Sequence, residues 1–273
     1  MVNSGIIKKT VIAGFLGICV LISACTMLLR ENANETRFDW NSNIFVHNLN
    51  YLGDTYSFIV MADTHIGDEN DGSKFSKIKE KLTAEDAFIV VAGDVTRNGA
   101  RGEIEIFLEK TVEIGLPSFP VIGNHDIYLE RGKAWKELIG PAVYRIDVDS
   151  TSLFILDNAE ATFGYEQFEW FEREIKSARK NTFVFAHENF FIENSPPDGD
   201  QITDIRERAR VISLLEGRCN VVFTGHIHKH FITRAGTIDF VSLGYFGGAS
   251  TGSGEFCRVY VSNDGIRYEF DNI

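Results

Sequence analysis

The sequence predicts an α/β chain in which two mixed β-sheets pack face to face with helices on their outer sides. Three observations carry this. Five short apolar runs, β-rich in composition, end at Asp, Asn, Gly or His. Helix-like stretches lie between most of them. Two further regions place strand-like runs in direct succession, which requires a second sheet.

The five runs are Tyr56–Ala62 before Asp63, Phe88–Ala92 before Gly93-Asp94, Phe119–Ile122 before Gly123-Asn124, Thr182–Ala186 before His187, and Val221–Thr224 before Gly225-His226. Continuous apolar runs of this length mark strands buried on both faces. Phe119–Ile122 contains Pro120, which has no N–H to give to a ladder. The helix-like stretches are Ser73–Leu82, Arg101–Ile114, Gly132–Leu138, Tyr165–Lys180 and Asp204–Leu215. Val143–Val148 and Ser152–Asp157 read as consecutive strands. So do His230–Thr233, Thr237–Leu243, Phe256–Val261 and Ile266–Phe270, with Ala235-Gly236 and Asn263-Asp264-Gly265 as turns.

The chain has 273 residues, 44% of them hydrophobic and 22 of them Phe, enough for a large packed core. Its five Pro exclude long Pro-rich linkers. The formal net charge is -12, and losing residues 1–24 with Lys8 and Lys9 would make it -14. So acidic a chain excludes a nucleic-acid backbone as partner, because that binding runs on Lys and Arg. A small phosphoester is not excluded, since metal ions can meet its charge locally. Nothing in the sequence sets an oligomeric state.

Residues 1–24 read as a signal peptide or membrane anchor, 25–50 as a tether and 51–273 as a single folded domain. Lys8 and Lys9 precede an apolar run from Thr10 to Leu29, and Ile22-Ser23-Ala24-Cys25 resembles a bacterial lipobox. One reading is therefore cleavage and lipid attachment at Cys25. A second is an uncleaved helix, since the run of 20 residues is long enough to span a bilayer, and a third is ordinary secretion. The first two place the lysines inside and the domain outside the cytoplasm, attached to the membrane. Cys19 and Cys25 belong to this segment; Cys219 and Cys257 lie in the domain, where buried free thiols and a disulfide both remain open.

Function is written at the strand ends. Asp63, His65, Asp94, Asn124, His187, His226 and His228 are seven oxygen and imidazole donors with no Cys among them. That mixture suits Mn, Fe or Zn ions rather than a thiolate site. In open α/β sheets such residues meet at the carboxyl ends of strands. One tetrahedral site needs about four ligands; seven suit two ions sharing a carboxylate.

The set Asp63-x-His65, Gly93-Asp94, Gly123-Asn124-His125-Asp126, His187 and Gly225-His226-x-His228 resembles, in order, the motifs of the calcineurin-like metallophosphoesterases. The resemblance spans residues 63–228. It implies a four-layer α/β/β/α sandwich and a two-metal site. Asp63, His65 and His228 would hold one ion and Asn124, His187 and His226 the other, with Asp94 bridging. His125 would act on the substrate without binding metal, and Asp126 would orient it. The two ions would give a bound water the acidity to attack phosphorus and would offset the phosphoryl charge. His125, protonated, would stabilise a phosphoryl oxygen or donate to the leaving alkoxide.

Other residues read less sharply. His230 extends the last motif and reads as a surface strand residue, while His47 has no partner in sequence. Arg97-Asn98-Gly99 suits either a plain turn or contact with substrate. Phe190-Phe191 and Tyr245-Phe246 suit an aromatic wall, but the abundance of Phe favours core packing. Arg97 stands where purple acid phosphatases carry their metal-binding Tyr, which argues against a Tyr-ligated ferric site. The stretch between Asp126 and His187 leaves little room for a cap domain, so an open cleft is expected. The context of Gly93–Gly99 and Gly123–Asp126 is similar to the small phosphodiesterases that include class III cyclic-nucleotide enzymes. An extracytoplasmic site would favour scavenging or envelope-lipid chemistry over cytosolic signalling. The competing function is an anchored metal-binding or interaction protein with little catalytic activity, against which the intact set of seven donors and His125 speaks.

Overall fold

The computed structural model of the chain describes residues 37–40, 49, 51–67, 70–191, 202, 204–247 and 253–273. In chain order the elements are β1 (Tyr56–Met61), α1 (Ser73–Lys81), β2 (Asp86–Ala92), α2 (Arg101–Ile114), β3 (Ser118–Val121), α3 (Lys133–Leu138), β4 (Tyr144–Val148), β5 (Thr151–Ile155), α4 (Tyr165–Glu174), β6 (Asn181–Phe185), α5 (Ile205–Leu215), β7 (Val221–Thr224), β8 (Phe231–Ala235), β9 (Ile238–Ser242), β10 (Glu255–Ser262) and β11 (Gly265–Asn272). One sheet has the order β11-β10-β1-β2-β3, the other β4-β5-β6-β7-β9-β8. Both are mixed: β1, β2 and β3 run parallel, as do β5, β6, β7 and β9, while β10, β11, β4 and β8 pair antiparallel. The fold is the expected one of two mixed sheets flanked by helices.

Alternation along each strand explains the continuous apolar runs. In β1, Phe58 and Val60 face the other sheet, while Ile59 and Met61 face helices. In β6, Phe183 and Phe185 point inward and Val184 outward. Both faces are buried, so neither can be polar. Between the sheets, Phe58 stacks on Phe88 with centroids 4.6 Å apart and meets Phe183 edge-on at 5.0 Å. Phe185 stacks on Phe223 at 5.5 Å. These rings fix how the sheets lie on each other. Outside, α1, α2 and α3 bury Phe75, Phe107 and Trp135 on the first sheet. Phe168 and Phe171 of α4 and Val211 and Leu215 of α5 cover the second.

Pro120 is accommodated because β3 is an edge strand that pairs only with β2. The helix expected over 165–180 is shorter. α4 stops at Glu174 and a 3₁₀ turn, Ile175–Ser177, follows. Arg145 of β4 donates to the carbonyls of Glu174 (2.8 Å) and Ser177 (2.9 Å), satisfying the end of the helix from another element. Cys219 and Cys257 are buried free thiols, both pushed up from the ordinary range by burial.

The leader at 1–24, Cys19, Cys25, His47 and most of the stretch at 25–50 lie outside the described residues. No helix among the described residues is long and apolar enough to cross a membrane. The described parts of the stretch read as a tether, Arg37 to Trp40 and Leu49, contact the domain. Arg37 is buried and bidentate on Asp157: its Nε donates to Oδ2 at 2.6 Å, its Nη2 to Oδ1 at 2.8 Å, and its backbone N–H to Oδ2 at 2.8 Å. Phe38 lies 6.0 Å from Trp170 of α4, and Lys136 of α3 lies 5.6 Å from the Trp40 ring.

Removing one partner of such a pair leaves a buried charge. Arg37→Ala should therefore cost about 3 kcal/mol or more in denaturant unfolding. A loss below about 1 kcal/mol, the range of an exposed pair, would contradict the contact.

Candidate metal centre

Each ligand-type residue stands just beyond the carboxyl end of a parallel strand. Asp63 and His65 follow β1, Asp94 follows β2, Asn124 and His125 follow β3, His187 follows β6, and His226 and His228 follow β7. Facing sheets bring all five strand ends together. The chain turns hard there: Asp63 (φ 55), His65 (φ 43), Asp94 (φ 47), His226 (φ 72) and His228 (φ 54) are left-handed. They are five of the nine described non-glycine residues with positive φ. Such strain persists only where surroundings enforce it. Backbone bonds across strand ends do so, among them His65 N–H to Asp94 O (2.9 Å) and Gly225 N–H to His187 O (3.0 Å).

Close approach dictates the glycines. At Gly93 (φ 89) a Cβ would lie 2.1 Å from Nδ1 of His187. At Gly123 it would lie 2.2 Å from the backbone nitrogen of Asp94. The motif glycines are therefore what allows His187, from the second sheet, and Asp94, from the first, to meet.

The carboxylate of Asp94 divides the centre. Oδ1 lies 3.3 Å from His187 Nε2, and Oδ2 lies 3.5 Å from His65 Nε2. On one side, Asp63, His65 and His228 bring donor atoms within 4.8 Å of one another, with Asp63 Oδ1 3.3 Å from His228 Nε2. On the other, Asp94, His187 and His226 do the same. Asn124 Oδ1 completes this group, 3.0 Å from His187 Nε2 and 3.1 Å from His226 Nδ1. All seven predicted donors thus converge. They fit metal ions on a separate count: His65 is buried, yet neither of its ring nitrogens has a hydrogen-bond partner among the described residues.

Orienting bonds fix which nitrogen faces the centre. A carbonyl only accepts, so His187 Nδ1–H donates to Ala92 O (3.1 Å) and leaves Nε2 toward Asp94. His226 is reversed, with Nε2 3.3 Å from the Glu188 carboxylate and Nδ1 inward. His125 Nδ1–H donates to Arg97 O (2.8 Å), which aims Nε2 at the cleft, 3.9 Å from Asp94 Oδ2. His125, His65 and Asp94 also group within 4.8 Å, so distance alone does not separate His125 from the ligands.

Asp126 does something other than orient His125. It is fully buried and accepts N–H bonds from Val95 (3.2 Å), Thr96 (2.8 Å) and Gly123 (2.8 Å), plus the Thr96 hydroxyl (2.7 Å). It ties the loop after β2 to the loop after β3, and the Arg97 carbonyl takes the orienting part. Burial, then the charge of Asp94, pushes Asp126 up to about 7 against those donors.

Several supporting residues escaped the sequence reading. Asn158 Oδ1 accepts the backbone N–H of His187 (2.8 Å) and of Glu188 (3.0 Å). Tyr128 takes a hydrogen bond from Asn124 Nδ2 (3.1 Å) and lies against His125 with centroids 4.4 Å apart. Only adjacency in sequence hinted at Glu188 and Tyr128; Asn158 had no local signal. Of the aromatic pairs, Tyr245 alone borders the site, stacked on His228 at 4.4 Å. Phe190 and Phe246 are buried, Phe246 against Phe75 of α1. Asn98 belongs to the start of α2, bonded to Glu103 (3.0 Å), while the Arg97 side chain is exposed. His230 stacks on Phe270 and pairs with Glu255 (3.4 Å) away from the centre.

Residues 56–230 match the model of a family described as calcineurin-like phosphoesterase. A stretch of 189 residues is 24% identical to a protein of Fibrobacter succinogenes (strain ATCC 19169 / S85) described as a probable cyclic nucleotide phosphodiesterase, covering 62% of this chain and 71% of that one. The structure is similar to a dimetal phosphatase from Danio rerio, with TM-score 0.59, 14% identity, and 80% and 98% of the two chains covered. It is also similar to a purple acid phosphatase from yellow lupin (Lupinus luteus), with TM-score 0.60, 16% identity, and 79% and 51% covered. At these identities the two structural likenesses are of fold.

The electrostatics set a pH dependence. Burial alone would lower His187, but the charge and hydrogen bond of Asp94 outweigh it and hold the imidazole up at about 10. A raised imidazole stabilises the metal-free fold below its unfolded value of about 6.5, and that gain is lost as pH rises toward about 10. An ion must displace the proton. The rise in melting temperature on adding Mn²⁺ should therefore be larger at pH about 8.5 than at pH about 6.5. An equal rise at both would contradict the pairing of His187 with Asp94.

Proposed function

The chain belongs to the calcineurin-like phosphoesterase family, and on that premise we propose that it hydrolyses a small phosphodiester or phosphomonoester outside the cytoplasm with two metal ions. Asp63, His65 and His228 would hold one ion, Asn124, His187 and His226 the other, and Asp94 would serve both. The observation that carries this is the division of the two Asp94 oxygens between two groups of donors. Oxygen and imidazole donors without thiolate suit Mn, Fe or Zn. When bound, the ions supply acidity to a water and positive charge against the phosphoryl oxygens.

The rest is the work of this chain's residues. Arg97 O holds His125 Nδ1–H, so the imidazole presents Nε2 to the cleft. In its protonated form Nε2–H donates to a phosphoryl oxygen, or gives its proton to the leaving alkoxide. Asp126 keeps the loops that carry Asp94 and His125 in register. Ala92 O holds His187 in the tautomer the centre needs, and the Glu188 carboxylate lies beside His226 Nε2.

The Fibrobacter relative's description as a probable cyclic nucleotide phosphodiesterase supports a diester as substrate. Lys8-Lys9, the apolar run from Thr10 to Leu29 and the Ile22-Ser23-Ala24-Cys25 sequence support export and membrane attachment.

The purified chain loaded with Mn²⁺ should hydrolyse bis-p-nitrophenyl phosphate or p-nitrophenyl phosphate; failure on both would sink the proposal. Asp94→Ala should lose bound metal. His125→Ala should keep metal and lose about 10²-fold or more in rate, as expected for a lost general acid. Equal metal loss in both would make His125 a ligand. For the membrane, palmitate should label the wild type and not Cys25→Ala; labelling of neither would overturn lipid attachment at Cys25.

A further inference from the structure

Asn124 poses a problem that the other donors do not. A carboxylate offers oxygen at both ends, and an imidazole is aimed by its second nitrogen. A carboxamide has one end that accepts and one that donates, and only Oδ1 can hold a cation. Something must hold the amide where its oxygen can reach the centre. The backbone near Asn124 does not do it: its 3₁₀ turn, His125–Ile127, has no side-chain cap from Asn124.

We propose that Tyr128 is the positioning residue that holds the Asn124 carboxamide in place at the centre. This rests on the two-ion reading above. The Asn124 Nδ2–H donates to Tyr128 Oη at 3.1 Å. With the nitrogen held there, Oδ1 stands 3.0 Å from His187 Nε2 and 3.1 Å from His226 Nδ1. A phenol can accept or donate, so the hydroxyl fixes where the amide sits, while a bound cation would select its oxygen end. The 3₁₀ turn supplies the geometry, since Tyr128 N–H donates to His125 O (3.3 Å) and brings the ring back over the segment it follows. The same ring lies against His125 with centroids 4.4 Å apart and an interplanar angle of 37°. A side chain 56% exposed, on a short turn at the rim, has little to do for the core. Both the bond and the ring contact are to residues of the Gly123-Asn124-His125-Asp126 motif.

The test is calorimetric titration of the full chain with Mn²⁺, comparing wild type, Tyr128→Phe, Asn124→Ala and the double variant. Tyr128→Phe keeps the ring and removes only the hydroxyl. It should weaken one of two Mn²⁺ sites about tenfold, the size typical for losing a ligand-orienting partner, and leave the other unchanged. The metal-free melting temperature should stay at the wild-type value. In the Asn124→Ala background there is no amide to hold, so removing the phenol should cost less than about twofold, a coupling read directly from the cycle. Two results overturn the proposal: Tyr128→Phe binding both ions as wild type does, or losing the same affinity in both backgrounds. Wild type binding one ion or none would instead overturn the two-ion reading, and the proposal with it.

Discussion

Asp94 joins the two sheets chemically. It stands just past β2 of the first sheet, and one of its oxygens lies 3.3 Å from His187 of the second. The other lies 3.5 Å from His65. The inter-sheet rings Phe58, Phe88, Phe183, Phe185 and Phe223 set how the sheets lie together; Gly93 and Gly123 remove the Cβ atoms that would keep these groups apart. Packing, motif glycines and donor geometry are therefore one constraint, met where the parallel strands of both sheets end.

That constraint is costly. Five left-handed non-glycine residues at about 1 kcal/mol or more each come to about 5 kcal/mol. A domain's whole net stability is about 5–15 kcal/mol. Buried carboxylates add to it: burial, then the neighbouring Asp94, pushes Asp126 up to about 7, and burial raises Asp63 against the pull of His228 and His187. Apolar faces on both sides of every central strand offset this. So does a frame of bonds in which Asp126 accepts from three backbone N–H groups and a hydroxyl. Positive charge placed between these groups would relieve the repulsion that the metal-free centre carries.

The strands and the donors were legible because both leave local marks. A strand buried on two faces must be continuously apolar, and the chain must then punctuate it with Gly, Asp or His to turn into the cleft. Supporting residues leave no such mark. Asn158 holds the backbone of His187 from 29 residues away. Arg145 ends α4 from β4, which is why the helix stops short of the stretch its composition allows. Arg37 reaches Asp157 across 120 residues, so a stretch that reads as a polar tether contains a buried ion pair. Asp126 sits beside His125 in sequence, yet its oxygens go to the neighbouring loop; adjacency along the chain was a poor guide to which group it serves.

Crystals of the Mn²⁺-loaded chain, with anomalous scattering recorded at the manganese edge, test the central claim most directly. Two peaks should appear about 3.5–4 Å apart. One should lie within bonding distance of Asp63, His65 and His228, the other of Asn124, His187 and His226, with one Asp94 oxygen on each or a shared oxygen between them. A single peak, or two peaks of which only one touches Asp94, would contradict it.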